Sequence, residues 1–229
     1  MITKIKQSGR WPITILLVMM SGICFILSIL RIIIAHNQVF LFFNWNLILA
    51  IIPWLASTAI MISPTYRTNK PILIGLLLLW ILFFPNSPYI LTDLFHLKTR
   101  LRIPVWYDLV EIMSFAWTGL MFGFVSLLDI EFLLHRYFTK RVTNVIIVAV
   151  LFLSSFGIYI GRYLRWNTWD IVKEPLPLIL QIGDRIIDPT AHLGTWGMTL
   201  FLGILLNMIF WSIKLFTTYN ITVIPEDKV

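Results

Sequence analysis

The chain has 229 residues, of which 59% are hydrophobic and only 13% are charged, about half the charged share of a soluble domain. This composition excludes a water-soluble enzyme and a disordered chain, because apolar surface is abundant and polar surface is too scarce to cover it. The single cysteine excludes a disulfide scaffold. The net charge of +7 is typical of helix ends held against anionic lipid headgroups, and no basic run with interleaved aromatic residues indicates nucleic acid as a partner. The sequence therefore predicts an integral membrane protein whose first partner is the lipid bilayer.

Stretches almost free of charged side chains predict six spanning helices within one integral membrane domain, residues 1–229. A spanning helix needs roughly 20 mostly apolar residues. In chain order, the predicted spans cover residues 12–30, 41–63, 71–91, 106–128, 142–164 and 189–213. The predicted fold class is all-α, a polytopic transmembrane helix bundle.

The first span resembles a secretory signal, because basic residues such as Lys6 and Arg10 precede its apolar run. The run of about 20 residues is longer than a signal core, and no small-x-small cleavage pattern follows it. We therefore interpret it as a span that is retained.

Two further segments depart from a simple spanning helix. Pro85 and Pro88 bracket Asn86 and Ser87, so the third helix is predicted to break there, with Ser87 as the cap of a short helix that begins at Pro88. Broken helices at membrane depth are tolerated where they line a cavity or lie within protein, although a simple proline kink is an equal alternative. The segment 175–187 is too short to span and too apolar to be solvated, which predicts an interfacial helix before the last span.

Small residues and basic residues add two weaker signals. Gly119-x-x-x-Gly123 and Gly157-x-x-x-Gly161 are packing motifs at different depths of the fourth and fifth helices, so we do not expect them to face each other. Ten basic residues lie on the face of the N-terminus and eight on the opposite face, which favours both termini in the cytoplasm.

Unusual polar residues gather on one predicted membrane face. The third and fifth helices end on this face, and the fourth and sixth begin on it. Three pairs there are spaced three residues apart and share one helix face, namely Asp93 with His96, Asp108 with Glu111, and Arg162 with Arg165. We expect at least one of these carboxylates to pair with Arg162 or Arg165. The structural alternative is that acids complement helix N-termini, and arginines helix C-termini or lipid phosphates.

These residues supply the candidate site. Carboxylates and imidazoles transfer protons, and they also bind zinc, which keeps one position open for water in catalytic sites. The candidate catalytic residues are Asp93, His96, Asp108 and Glu111, and the candidate ligands of a divalent metal are Asp93, His96, Asp108 and His192. The candidate substrate-binding residues are Asn86, Tyr89, Arg162, Arg165, Trp166, Asn167 and Asp170, in which the arginines are suited to a phosphate or carboxylate.

The strings FPNSPYILTDLFHL, WYD, GRYLRWNTWD and DPTAH, in this order, resemble an uncharacterised bacterial multi-pass membrane family known as domain of unknown function 1361. The resemblance covers roughly residues 40 to 215. It implies a multi-pass protein of the bacterial cytoplasmic (plasma) membrane, and it implies no activity, substrate or catalytic residue.

Three functions remain open from the sequence. The first is a metal-assisted enzyme that acts on a lipid-linked or headgroup substrate at the extracytoplasmic surface. The second is a small permease or transporter subunit, and the third is a non-catalytic scaffold that docks a partner membrane protein or a further copy in an oligomer. No H-E-x-x-H, G-x-S-x-G or Walker motif occurs, so no known catalytic motif separates them.

Overall fold

The computed structural model describes residues 6–36, 38, 40–98 and 103–222, with side chains as far as residue 216. All regular structure in these ranges is helical, which confirms the all-α prediction. The chain forms two compact units, Met1–Lys140 and Arg141–Val229, and each is described by itself. The single membrane domain stays a prediction.

The first unit is built from long helices with one interrupted helix between them. Its elements are α1 Trp11–Ala35, α2 Leu41–Ile62, α3 Pro64–Thr68, α4 Lys70–Phe83, α5 Asn86–Tyr89, a 3₁₀ helix Ile90–His96, and α6 Val105–Leu134. The second unit contains α7, which begins at the unit boundary and covers Lys140–Tyr163, then α8 Asp170–Lys173, α9 Pro175–Ile187 and α10 Leu193–Thr222.

Six segments of the described chain are long and apolar enough to cross a membrane, as predicted. They are Trp11–Ala35, Leu41–Ile62, Lys70–His96, Val105–Leu134, Lys140–Tyr163 and Leu193–Phe216. The first and fourth extend five or six residues beyond the predicted ends at 30 and 128. The reason is that the charged residues used to end them, Arg31 and Asp129, are buried within the protein.

Helix α6 lies at the centre of the first unit and is the most buried span of the described chain. Its Ile112 and Phe115 pack in a core cluster with Phe43, Leu47 and Ala50 of α2. In contrast, α1 buries one stripe and leaves the rest of its apolar surface exposed, as expected for a helix that faces lipid. Burial of α6 therefore places its polar residues inside protein.

The third span is interrupted at the predicted prolines. Helix α4 ends at Phe83, α5 follows at Asn86, and the chain then tightens into a 3₁₀ helix. The predicted capping role of Ser87 is wrong, because α5 begins at Asn86, two residues before the predicted start at Pro88, and the Ser87 hydroxyl donates to the Ala50 carbonyl of α2 at 3.1 Å. Ala50 lies three residues before the buried Pro53, in a turn that this proline disrupts. The break is therefore held by a neighbouring helix.

Helix α9 has 13 residues, about 20 Å of helix, which is too short to span a ~30 Å hydrocarbon core. Its exposed apolar residues lie on one helix face and are Leu176, Ile179, Leu180, Ile186 and Ile187. The arrangement agrees with the interfacial segment predicted before the last span.

Orientation is a prediction that reporter fusions test directly. Fusions after residues 36, 98 and 180 should report an extracytoplasmic position, and fusions after residues 68 and 138 a cytoplasmic one, because more basic residues lie on the second face. Fusion of a phosphatase and a fluorescent reporter at each site provides two opposed signals. The inverted pattern would reverse the predicted orientation and leave the helix arrangement unchanged.

Candidate functional site

Arg31, Asp108 and Glu111 form a buried ion cluster, here called the Arg31 cluster. The Arg31 Nε lies 2.9 Å from Asp108 Oδ1 and 3.3 Å from Glu111 Oε2, and all three side chains are at most 1% exposed. The Phe40 ring lies 3.8 Å from the Arg31 guanidinium carbon. One guanidinium thus serves two carboxylates in the interior of the first unit.

The stripe that α1 buries explains how Arg31 reaches this position. The buried residues of α1 are Leu17, Ser21, Cys24, Ser28, Arg31 and Ala35, which alternate by three and four residues along one face. Asn44 of α2 donates to Ser28 at 2.8 Å, and the Tyr107 hydroxyl of α6 donates to the Leu27 carbonyl at 2.8 Å. The position of Arg31 at the end of an apolar run predicts only a flanking cation; the polar residues along this stripe are the sequence signal for its buried position.

A second group consists of Asn46, Asp93 and His96. The Asn46 amide donates to Asp93 Oδ2 at 3.1 Å, and His96 Nδ1 lies 3.9 Å from Asp93 Oδ1. Asp93 is fully buried, whereas 42% of the His96 side chain is exposed. In a 3₁₀ helix, side chains three residues apart are eclipsed, so the tightened segment places the imidazole directly beside the carboxylate. The predicted pair is therefore brought together.

The polar residues at the break serve local structure. The Asn86 amide donates to the Phe83 carbonyl at 3.1 Å, so it satisfies a carbonyl at the end of α4. Tyr89 is half-buried at the end of α5. Roles of Asn86 and Tyr89 in substrate binding stay predictions.

The candidates of the second unit form short-range networks. Trp166 Nε1 donates to Gln181 Oε1 at 2.8 Å, and both the backbone and the side-chain amide of Asn167 donate to Asp170 Oδ2. His192 Nε2 lies 2.8 Å from Asp184 Oδ2. These contacts join α9 to the segments before and after it.

The loop before α10 contains an acid with a perturbed pKa. The Thr190 hydroxyl and the Ala191 N–H donate to the Asp188 carboxylate and hold its pKa below the ordinary value. Because the folded-state pKa is depressed, these contacts stabilise the turn above the ordinary pKa of aspartate and are lost as pH falls through the lowered value.

Arg162 and Arg165 lie at the end of α7. Arg162 is in the last turn of the helix, and Arg165 follows with a positive φ of 60°. The Trp166 N–H donates to the Ile160 carbonyl at 3.4 Å across the positive-φ position of Arg165, a conformation that favours glycine. Their predicted pairing with a carboxylate of the first unit stays a prediction.

Substitution of Arg165 tests whether its side chain contributes to stability at this positive-φ position. Arg165→Gly should raise the free energy of unfolding by up to about 1 kcal/mol, because glycine adopts positive φ without strain, whereas Arg165→Ala should not. Thermal unfolding of the two variants in detergent measures the difference. A lower stability of Arg165→Gly would show that the side chain stabilises the fold.

The predicted metal ligands do not form one group in the described residues. No three His, Cys, Asp or Glu side chains converge there as metal ligands would. Asp93 lies beside His96, Asp108 lies against Arg31, and His192 lies against Asp184. A divalent metal stays a prediction, and of its proposed ligands only Asp93 and His96 are seen as a pair.

A second, partly buried ion cluster, the Arg10 cluster, lies towards the other end of α6. Arg10 forms a two-pronged ion pair with Asp129, with Nη2 at 2.7 Å from Oδ2. Ser57 donates to the same oxygen at 2.7 Å, and Arg10 also donates to Thr58 at 3.0 Å. The predicted fourth span ends at residue 128, just before Asp129, so this cluster was not predicted.

Comparisons with known proteins agree with the fold. Neither curated protein sequences nor solved structures contain a match to this chain. Residues 45–209, which include the 3₁₀ helix, α6, α7 and α9, match the family described as protein of unknown function (DUF1361). With most of its length matched and six helices able to cross a membrane, the chain is a multi-pass membrane protein that belongs to the DUF1361 family.

Proposed function

We propose that this chain is a membrane-embedded enzyme that acts on a lipid headgroup or a lipid-linked substrate, with His96 as the group that transfers a proton. The carrying observation is a half-exposed imidazole beside a fully buried carboxylate that a neighbouring amide holds in place. We further propose a bacterial cytoplasmic membrane, with both termini in the cytoplasm.

The chemistry proposed for this group is general acid–base catalysis. A neutral His96 accepts a proton from water or from a substrate hydroxyl, and Asp93 stabilises the imidazolium that results. Asn46 positions the carboxylate by its hydrogen bond to the second oxygen. The separation of 3.9 Å between His96 and Asp93 would shorten when substrate binds, as catalytic hydrogen bonds often do. Arg162 and Arg165 are the proposed binding groups for an anionic headgroup.

The test is conversion of a lipid by the purified protein. Nanodiscs of phosphatidylethanolamine and phosphatidylglycerol, with and without a polyprenyl diphosphate, are incubated with protein, and the extracted lipids are followed by mass spectrometry. We expect one lipid class to be consumed, and His96→Gln to slow its consumption by about 10²- to 10⁴-fold. A chelator added in a parallel sample separates a metal-assisted reaction from a metal-free one.

His135 offers a matched control. It is also about a third exposed and lies 3.4 Å from a buried acid, Glu131, at the end of α6. His135→Gln should leave the rate unchanged. The proposal is wrong if no lipid is consumed, or if His96→Gln and His135→Gln behave alike; a permease or a scaffold then becomes the better candidate.

A further inference from the structure

Helices α1 and α6 are joined by ion clusters at both ends. Arg10 at the start of α1 pairs with Asp129 near the end of α6, and Arg31 near the end of α1 pairs with Asp108 near the start of α6. The helices are therefore antiparallel. The two arginines are 21 residues apart, and so are the two aspartates. At 1.5 Å per residue this is about 31 Å, close to the thickness of the hydrocarbon core.

The contacts between the clusters fit the same register. Cys24 Sγ lies 3.3 Å from Thr118 Oγ1 midway along the pair. On α6, Glu111 and Asp129 are 18 residues apart, which is five full turns, so they lie on one helix face. A slip of one turn would separate Arg10 from Asp129 and Arg31 from at least one of its two carboxylates. The face of α6 that carries Asp108, Glu111, Thr118 and Asp129 is here called the acidic face.

The helix that occupies the acidic face comes from outside the family match. The match begins at residue 45, whereas α1 covers Trp11–Ala35. Both arginines that balance the acidic face thus belong to a segment that the family pattern does not include. Lipid tails are as apolar as leucine, so the hydrophobic effect contributes little to helix association in a bilayer, and polar contacts select the partner.

We propose that the acidic face is a docking surface for a transmembrane helix with two arginines about six turns apart, and that α1 occupies it by non-covalent recognition. The peptide link to α2 brings α1 to this surface but does not hold it there. The charges set the register of the docked helix, because both arginines meet carboxylates only where the two 21-residue spacings coincide.

Cleavage of the link in the full-length protein tests this proposal. A protease site is inserted between residues 36 and 40, the intact protein is purified in mild detergent, and the site is cut. We expect the fragment with α1 to co-elute with the remainder during size-exclusion chromatography. Release of the fragment from the wild-type sequence would overturn the proposal, since the link would then be what retains it.

Charge variants show whether the arginines are needed for α1 to bind the acidic face. Arg10→Asp should release the cut fragment, and the exchange Arg10→Asp with Asp129→Arg should retain it again. The milder Arg10→Gln serves where Arg10→Asp gives no monodisperse intact protein. Lys6→Gln is the matched control, because Lys6 is a cation near the same helix start that contacts only the Trp11 ring among the described interactions. Retention of the cut fragment by Arg10→Asp, or by Arg10→Gln where that variant is the one purified intact, would overturn the proposal.

Discussion

Arg31→Gln is expected to lower the free energy of unfolding by about 3–5 kcal/mol, because it leaves two buried carboxylates without a cation. Both carboxylates are fully buried, so water cannot replace the guanidinium without opening the structure. Thermal unfolding in detergent and the yield of monodisperse protein are the measurements. The effect should exceed that of any exposed arginine.

Removal of the carboxylates provides the decisive comparison. Asp108→Asn together with Glu111→Gln in the Arg31→Gln background should recover much of the lost stability, since the buried charges are then gone. Arg141→Gln, at an exposed position in α7, is the control for loss of one arginine. If the carboxylate variants fail to rescue Arg31→Gln, the loss comes from packing of the long side chain against Phe40 and not from charge.

Gly119→Ala should destabilise the protein by about 1–3 kcal/mol, because α6 has no room for a side chain where the interrupted span crosses it. A Cβ at Gly119 would lie 2.7 Å from the backbone oxygen of Ser87 and 2.8 Å from Ile90 Cδ1. A Cβ at Gly123 would lie 2.8 Å from the Ser87 Cβ. Backbone atoms cannot move aside as a flexible side chain does, so Gly119→Ala should be the more damaging change.

Two other glycines serve as controls for helix propensity. A Cβ at Gly22 or Gly75 would meet nothing within 4 Å. Gly22→Ala and Gly75→Ala should change the unfolding midpoint little, since surface changes usually stay within about 0.5 kcal/mol. An equal loss at Gly119 and Gly75 would contradict the close packing of α6 against the break.

The glycine motif illustrates what sequence patterns reveal and what they omit. Gly119-x-x-x-Gly123 predicts that another segment packs closely against α6. The motif does not show which segment that is. That neighbour is Ser87, in a span interrupted by two prolines. Spacing identifies which residues share a helix face, but the choice of partner depends on how helices are arranged in space.

The same limit explains the errors in the candidate site. Periodicity, hydropathy and the prolines were enough to predict six spans, the break and a separate helix before the last span. The pairing of Asp93 with His96 also follows from spacing, because both residues lie on one short segment. Arg31 and Asp129 were missed because a charge beside an apolar run looks the same whether it faces headgroups or another helix. Only the tertiary arrangement separates these two environments.

The centrally placed α6 has a consequence for biogenesis of the protein. A charged side chain at the centre of an isolated inserting helix costs about 2.5–3.5 kcal/mol, and less near the interface, and α6 carries three acids whose cations are on α1. α1 is synthesised first, so the carboxylates of α6 reach its two arginines only after residues 105–134 have left the ribosome. We therefore expect α6 to enter the bilayer in contact with α1 and not as an isolated helix. We also expect partly synthesised chains that end before α6 to be degraded faster than chains that include it.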